Sequence, residues 1–324
     1  MGRILLILTL LATAACSTTE GLETTSLGSA AAVVEVTTTS GNGPASESPG
    51  FPVTVSADNG EVTIEQRPVR IVSLAPTLTE MLFAIRAGDQ VVAVDELSTY
   101  PEEAPRTDLS GFEPNLEAVA ALDPDLVVVS DDFNDIVSAL TAVGIPVIHH
   151  PAAVSLDDTY TQIEQLGAAT GNPEAAAGLV ASMASEIDDL SGSVEERAEP
   201  LTYYHELDGS LFTVTSATFI GEMYGLAGLE NIADAAEGAD TLYPQLSAEY
   251  IIESDPDLIF LADTQCCGES AETVAARPGW DQITAVTSGA VFALDDDIAS
   301  RWGPRVVDLL ETIVAATLEL GGRG

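Results

Sequence analysis

From Val53 onward, short apolar runs alternate with stretches of mixed polarity, and turn residues separate them. Residues 53–57 (VTVSA) and 61–64 (EVTI) flank Asp58, Asn59 and Gly60. The Asn-Gly step predicts a hairpin closed by a type I′ turn. Apolar runs at 70–75, 91–94, 126–129 and 147–148 predict buried strands. Thr77 and Glu80 have capping-box spacing and predict a helix to about residue 87, ended by Gly88. Helical segments lie between most of the strands, so this lobe reads as α/β with mostly parallel strands.

A different element begins at Asn172-Pro173-Glu174, where Pro takes the first helical position after an Asn cap. No Pro interrupts the sequence before about Arg197, so this helix would span about 36 Å and bridge two lobes as a rod. Beyond it, strands are predicted at 202–205 and 211–214, a helix around 219–226, a strand at 291–294 and a last helix at 304–320. The expected division is a first lobe at 53–171, a linking helix at 172–198 and a second lobe at 199–324.

One unit occurs twice. LEAVAALDPDLV (116–127) recurs as AEYIIESDPDLI (248–259) at a constant offset of 132 residues, from Glu117 to Glu249 and from Asp123 to Asp255. Each copy follows a polar residue suited to capping (Asn115, Ser247), then reads as short helix, Asp-Pro-Asp break and apolar strand. A repeated supersecondary unit predicts two similar lobes, and a cleft between lobes is a place for a small ligand.

Charge narrows the partners. There are 52 acidic and 10 basic residues, a net charge of −42, and every basic residue is Arg. Such a surface repels nucleic acid and anionic headgroups and disfavours strongly anionic ligands. It reads as a solvated acidic shell. Residues 1–16 read as an export signal: Arg3, an apolar run at 4–11, and Thr13-Ala14-Ala15-Cys16 as the cleavage site. Cys directly after that site resembles a bacterial lipobox, with lipidation expected at Cys16. The apolar run is too short to span a bilayer, which takes about 20 residues. A lipid anchor is therefore the one expected membrane attachment. Residues 17–52, rich in Thr, Ser, Gly and Ala, read as a disordered tether.

Several phrases carry a family resemblance. They are RIVSLAPTLTEMLFAIRAGDQVVAVDE, YPEEAP and GFEPNLEAVAALDPDLVVVS in the first lobe. TFIGEMYGLAGLENIAD, YPQLSAEYIIESDPDLIFL, ETVAARPGW and GAVFALDDDIASRWGPRVVDLLE follow in the second. In this order they resemble the substrate-binding lipoproteins of bacterial iron-siderophore and cobalamin ABC importers, over roughly residues 51–320. The resemblance implies two Rossmann-like α/β lobes joined by one long backbone helix. It implies a monomer that holds a metal chelate, cobalamin or a ferric siderophore, between the lobes and hands it to an ABC permease dimer. It implies docking of Glu117 and Glu249 into the two permease subunits. Symmetry agrees, because a two-lobed protein meeting a homodimer should offer equivalent charges. Helix-dipole stabilisation of about 0.3–1 kcal/mol would also explain each Glu.

Ligand residues are expected at the carboxyl ends of the strands. The candidates are Pro76, Thr77, Tyr100, Phe112, residues 131–133, His149 and His150 in the first lobe. In the second they are His205, Phe219, Tyr243, Cys266, Cys267, Asp297, Arg301 and Trp302. Aromatics are only 5% of the chain, so their presence in these loops is informative. Tyr100, Phe112 and Tyr243 match family positions that carry ligand-facing aromatics, and Asp297 and Arg301 match polar contact positions. Arg301 could equally pair with a neighbouring Asp. The three His lack metal-site spacing and read as loop histidines, so no metal site or cofactor is expected. Cys266 and Cys267 read as a vicinal disulfide, with free thiols or soft metal ligands as alternatives. No GxSxG elbow, Walker loop or nucleophile–His–carboxylate set supports an enzyme. The competing functions are a bare-metal or haem binder and an exported hydrolase or chelatase. The scarcity of Arg and lack of Lys favour cobalamin or a near-neutral hydroxamate over a tris-catecholate.

Overall fold

The computed structural model describes residues 50–195, 197–236 and 241–321. Strands β1 (Val53–Ala57) and β2 (Gly60–Ile64) pair antiparallel as the expected hairpin. The first sheet contains β3 (Ile71–Ser73), β4 (Val91–Asp95), β5 (Arg106–Leu109), β6 (Leu126–Val129) and β7 (Val147–His149). Its order is β5-β4-β3-β6-β7, all parallel. The second sheet contains β8 (Leu201–Glu206), β9 (Leu229–Asn231), β10 (Leu258–Leu261) and β11 (Val291–Ala293). Its order is β11-β10-β8-β9, again all parallel. Strand order reverses between β3 and β6 and between β8 and β10. Open α/β sheets form their ligand crevices at the carboxyl ends of such pairs.

Alternation along the strands explains how the two lobes cohere. Successive side chains point to opposite faces. Leu126 and Val128 enter one core while Val127 and Val129 enter another. The second sheet does the same with Leu258 and Phe260 against Ile259 and Leu261. One core is private to each lobe. The other is continuous, running from Val55, Leu78 and Ile163 through Ile187 to Phe219, Tyr224 and Leu310. Burying each such side chain contributes about 1.5–3 kcal/mol, so opening the lobes by exposing this shared core is expensive.

The long helix runs Pro173–Gly192, 20 residues, and spans about 30 Å rather than the expected 36 Å. It packs on the Leu156–Thr170 helix and on the C-terminal Val306–Gly321 helix. A Cβ at Gly167 would come within 2.3 Å of the Ala176 Cβ, so this glycine permits the close helix approach.

Three local expectations are corrected. Asn59 is not among the positive-φ residues, whereas Gly60 is (φ 100°), so the hairpin turn is not type I′. Asn59 instead donates from Nδ2 to the Val147 carbonyl (3.0 Å) and accepts from the His149 amide (3.1 Å), clipping the hairpin to β7. Thr77 and Glu80 form no capping box: the Pro76–Ala84 helix starts after Ala75 without a side-chain cap, and Glu80 is buried. Residues 211–214 form no strand. Leu211 has φ 68°, and Phe212 makes an isolated bridge to Gln245. The place beside β8 belongs to β9, which the sequence reading missed.

Candidate functional site

At the amino ends of the central strands, the repeated unit performs one task twice. The Asp125 carboxylate accepts from the Val69 and Arg70 amides at the entry to β3, both at 2.9 Å. The Asp257 carboxylate accepts from the Thr202 amide (2.9 Å) and hydroxyl (3.0 Å) at the entry to β8. Asp123 and Asp255 both adopt left-handed backbone, φ 50° and 46°. The Leu116–Ala120 and Ala248–Ser254 helices are capped as expected, Asn115 accepting from the Ala118 amide and Ser247 from the Tyr250 amide. Glu117 and Glu249 stand exposed at the second position of each helix.

At the carboxyl ends, a buried charge network ties the lobes together. Glu80, on the Pro76–Ala84 helix, is 3% exposed. Arg301 Nη1 donates to its Oε1 (2.8 Å), while Arg305 donates to both carboxylate oxygens (2.6 and 2.8 Å). Arg301 also reaches the Leu97 carbonyl (3.1 Å) and pairs with Asp297 (2.7 Å). The Thr99 hydroxyl donates to the other oxygen of Asp297 (2.9 Å), and Arg305 lies 4.3 Å over the Tyr100 ring. Trp302 donates from Nε1 to Gln162 (2.9 Å) and meets buried Phe219 edge-on. Arg301 is thus buried and already neutralised. Thr77 is buried and Pro76 half-buried beside the same junction.

Around this junction lies an apolar rim. Tyr100 is 48% exposed, Phe112 62% and Phe133 40%, and the Phe112 and Phe133 rings are 5.8 Å apart. Leu97 joins them in the first lobe. The second lobe presents Tyr243, 43% exposed, with Phe212 and Leu242. Leu97, Phe212 and Leu242 were missed in the sequence, although each is a large apolar residue in a polar loop. Phe133 sits in an unusual loop, followed by Asn134 and Asp135 at φ 58° and 53°. Two consecutive non-glycine residues in that region mark backbone held by its surroundings.

Titratable groups at this edge are unusual. Glu206 ends β8, fully buried, and accepts from Nη1 and Nη2 of Arg277. Asp263, just beyond β10, is also fully buried, and among the described residues neither carboxylate oxygen has a hydrogen-bond partner. Burial, then the nearby Glu206 and Glu269, pushes its pKa up to about 7. His205 is fully buried and bonded through Nδ1 to the Tyr224 hydroxyl (2.7 Å), and burial lowers its pKa to about 3. Burial, with His149 alongside, lowers His150 to about 4. His149 reaches Asp58 (3.3 Å) and the Ser130 carbonyl (3.1 Å). Among the described residues, no group of three or more His, Cys, Asp or Glu is arranged to hold a metal. Cys266 and Cys267 form a vicinal disulfide, both exposed, at the end of the Thr264–Cys267 helix. Cys16 and the expected export signal lie outside the described residues.

A 430 Å³ pocket lined by Ser191, Arg197, Leu201, Leu229 and Thr317 lies at the opposite, amino edge of β8 and β9, away from the rim.

Comparison with known proteins gives a consistent result. A family model described as periplasmic binding protein matches residues 71–298. An uncharacterized ABC transporter substrate-binding lipoprotein of Bacillus subtilis (strain 168) is 33% identical over 273 residues, covering 81% of this chain and 84% of that protein. A cobalamin-binding protein of Halobacterium salinarum is 34% identical over 268 residues, covering 80% of this chain and 72% of that protein. The crystal structure of the periplasmic vitamin B12 binding protein of Vibrio cholerae superposes with a TM-score of 0.64 at 26% identity. That match covers 78% of this chain and 98% of that one.

Proposed function

This chain belongs to the periplasmic binding protein family, and from that premise we propose that it is the extracytoplasmic substrate-binding component of an ABC importer. It captures a metal chelate, cobalamin in the first instance, between its lobes and presents it to a permease dimer without chemical change. The observation that carries this reading is the rim: exposed aromatic rings of both lobes, Tyr100, Phe112 and Phe133 in the first and Phe212 and Tyr243 in the second, lie in loops that follow strands of the two parallel sheets. Rings of this kind pack against a flat macrocycle or the organic shell of a chelate.

Charge supports cobalamin over a polyanionic chelate. Arg301 and Arg305 already share Glu80, and Arg277 is held by Glu206 and Glu269. A tris-catecholate would have to take these cations from buried carboxylates, and leaving a buried charge unpaired costs about 3–5 kcal/mol. Pro76, Thr77, Tyr100, Phe112, Tyr243, Asp297, Arg301 and Trp302 form the ligand border. Arg301 and Thr77 act from beneath the surface by fixing its shape. Glu117 and Glu249, at the opposite edge, dock to the permease. Lipidation of Cys16 anchors the protein to the outer face of the membrane. Among the described residues, no helix is long and apolar enough to cross it.

Equilibrium dialysis of the full chain against cyanocobalamin, a ferric hydroxamate and a ferric catecholate tests the reading. Saturable one-to-one retention of cyanocobalamin is expected. Retention of the catecholate alone would overturn the charge reasoning, and retention of none would overturn the transport reading.

A further inference from the structure

The Thr264–Cys267 helix is too short to hold itself in place. Most of the bonds that hold it go to one carboxylate, Asp296. Asp296 Oδ1 accepts from the Thr264 amide (2.9 Å) and hydroxyl (3.0 Å), and Oδ2 accepts from the amides of Gln265 (2.9 Å) and Cys266 (2.8 Å). Gln265 Nε2 adds a bond to Asp295 (3.1 Å). The turn so captured ends in the Cys266–Cys267 disulfide, which is exposed to solvent.

Asp296 also opens the Asp296–Ser300 helix, whose next residue is Asp297. Asp297 accepts from Thr99 of the first lobe and pairs with Arg301, which reaches Glu80 and the Leu97 carbonyl. A connected path therefore runs from the disulfide through Asp296 to the junction under the aromatic rim.

We propose that Asp296 and the Cys266–Cys267 disulfide form a positioning unit that fixes Asp297 and Arg301 at the lobe junction, and that reducing the disulfide loosens that junction. A dithiol reductant supplies two electrons and two protons, closing to its own cyclic disulfide as the Cys266–Cys267 bond breaks into two thiols. Without the cross-link, the turn regains backbone freedom and the convergent amides no longer stay aimed at Asp296. The consequence for ligand rests on the reading that Asp297 and Arg301 border the ligand cleft. The consequence for the backbone does not.

Amide hydrogen exchange on the full chain, before and after treatment with dithiothreitol, separates the two. Reduction should speed exchange at Gln265 and Cys266, and also at Ile298 and Ala299 in the next helix, by about tenfold, the loss of roughly one charge-assisted hydrogen bond. Asp296→Asn should do the same without reduction. Asp255→Asn serves as the control. Asp255 holds Thr284 by its amide and hydroxyl, so its loss removes a similar clasp elsewhere and should leave Ile298 and Ala299 unchanged. Faster exchange confined to 264–268, or an equal response to Asp255→Asn, would overturn the proposal. In a parallel arm, cyanocobalamin retention should weaken about tenfold on reduction, and equal retention would overturn the link to ligand. Absence of retention in both redox states would instead count against cobalamin as the cargo, with the exchange result still deciding the positioning unit.

Discussion

At the amino ends of β3 and β8, the two lobes use the same residues for the same purpose. Asp125 and Asp257 each fasten the entry to the central strand, and Glu117 and Glu249 each stand exposed on a capped short helix. At the carboxyl ends the lobes differ. The first presents Leu97, Tyr100, Phe112 and Phe133. The second buries Glu206 and Asp263 beneath a sparser rim of Phe212, Leu242 and Tyr243. A partner with two equivalent halves rewards duplicated features, whereas one asymmetric ligand lets the two lobes diverge. On the proposed reading, docking falls to one edge and capture to the other.

The largest effect should come from the junction between the lobes. Glu80→Gln leaves buried Arg301 and half-buried Arg305 without their shared counter-charge, and urea denaturation should register a loss of about 3–5 kcal/mol. Asp297→Asn removes a partly exposed partner and should cost about 1 kcal/mol or less. Equal costs would mean that the Glu80 triad is not the principal clasp.

The docking edge comes next. Glu117→Ala and Glu249→Ala should each lower cobalamin uptake by cells to a similar extent, and together by about tenfold or more, while retention of ligand stays unchanged. Uptake that survives the double variant would remove the docking role. A loss from one lobe only would break the symmetry between them.

The aromatic rim sharpens the contrast at smaller scale. Phe112→Ala and Phe133→Ala should each weaken cyanocobalamin retention in dialysis by about 0.5–1.5 kcal/mol, with uptake falling in proportion. Val143→Ala, at a site 58% exposed, should leave retention as it was.

The prediction for Asp263 has a definite sign. Its pKa is raised to about 7, so between about pH 4 and pH 7 the folded state holds a proton that the unfolded state has released. Its contribution to stability is present at low pH and is lost as pH rises through about 7. His150 and His205 have lowered values, and theirs is present above about pH 6.5 and lost as pH falls. Asp263→Asn cannot titrate. Its stability relative to the parent should therefore climb from pH 4 to pH 7 and level off above, as thermal unfolding at each pH can measure. A pH-independent difference would show that Asp263 is not held protonated.

What the sequence made legible was local. Both helix caps and the buried apolar strands were readable because their partners lie within a few residues or follow strand period, and the Asp-Pro-Asp unit because it occurs twice. Glu80 was misread for the same reason. Its three-residue spacing from Thr77 imitates a capping box, while its true partners, Arg301 and Arg305, are more than 200 residues away. From the sequence alone, Arg301 could equally pair with a neighbouring Asp. It does pair with Asp297, and Glu80 from the other lobe anchors the pair under the rim. Residues 211–214 had a strand's polarity, yet the left-handed Leu211 breaks the run. Asp263 gave no signal, because a carboxylate after an apolar strand looks like any loop residue until both its oxygens are seen to be buried.

Amide exchange across the full chain, with and without cyanocobalamin, tests the division of the two edges most directly. Occupancy between the lobes predicts protection of the loops carrying Leu97, Tyr100, Phe112, Phe133 and Tyr243, from both lobes at once. It predicts no change around Glu117, Asp123, Glu249 and Asp255. Protection of one lobe alone, or of the Asp-Pro-Asp edge, would contradict it.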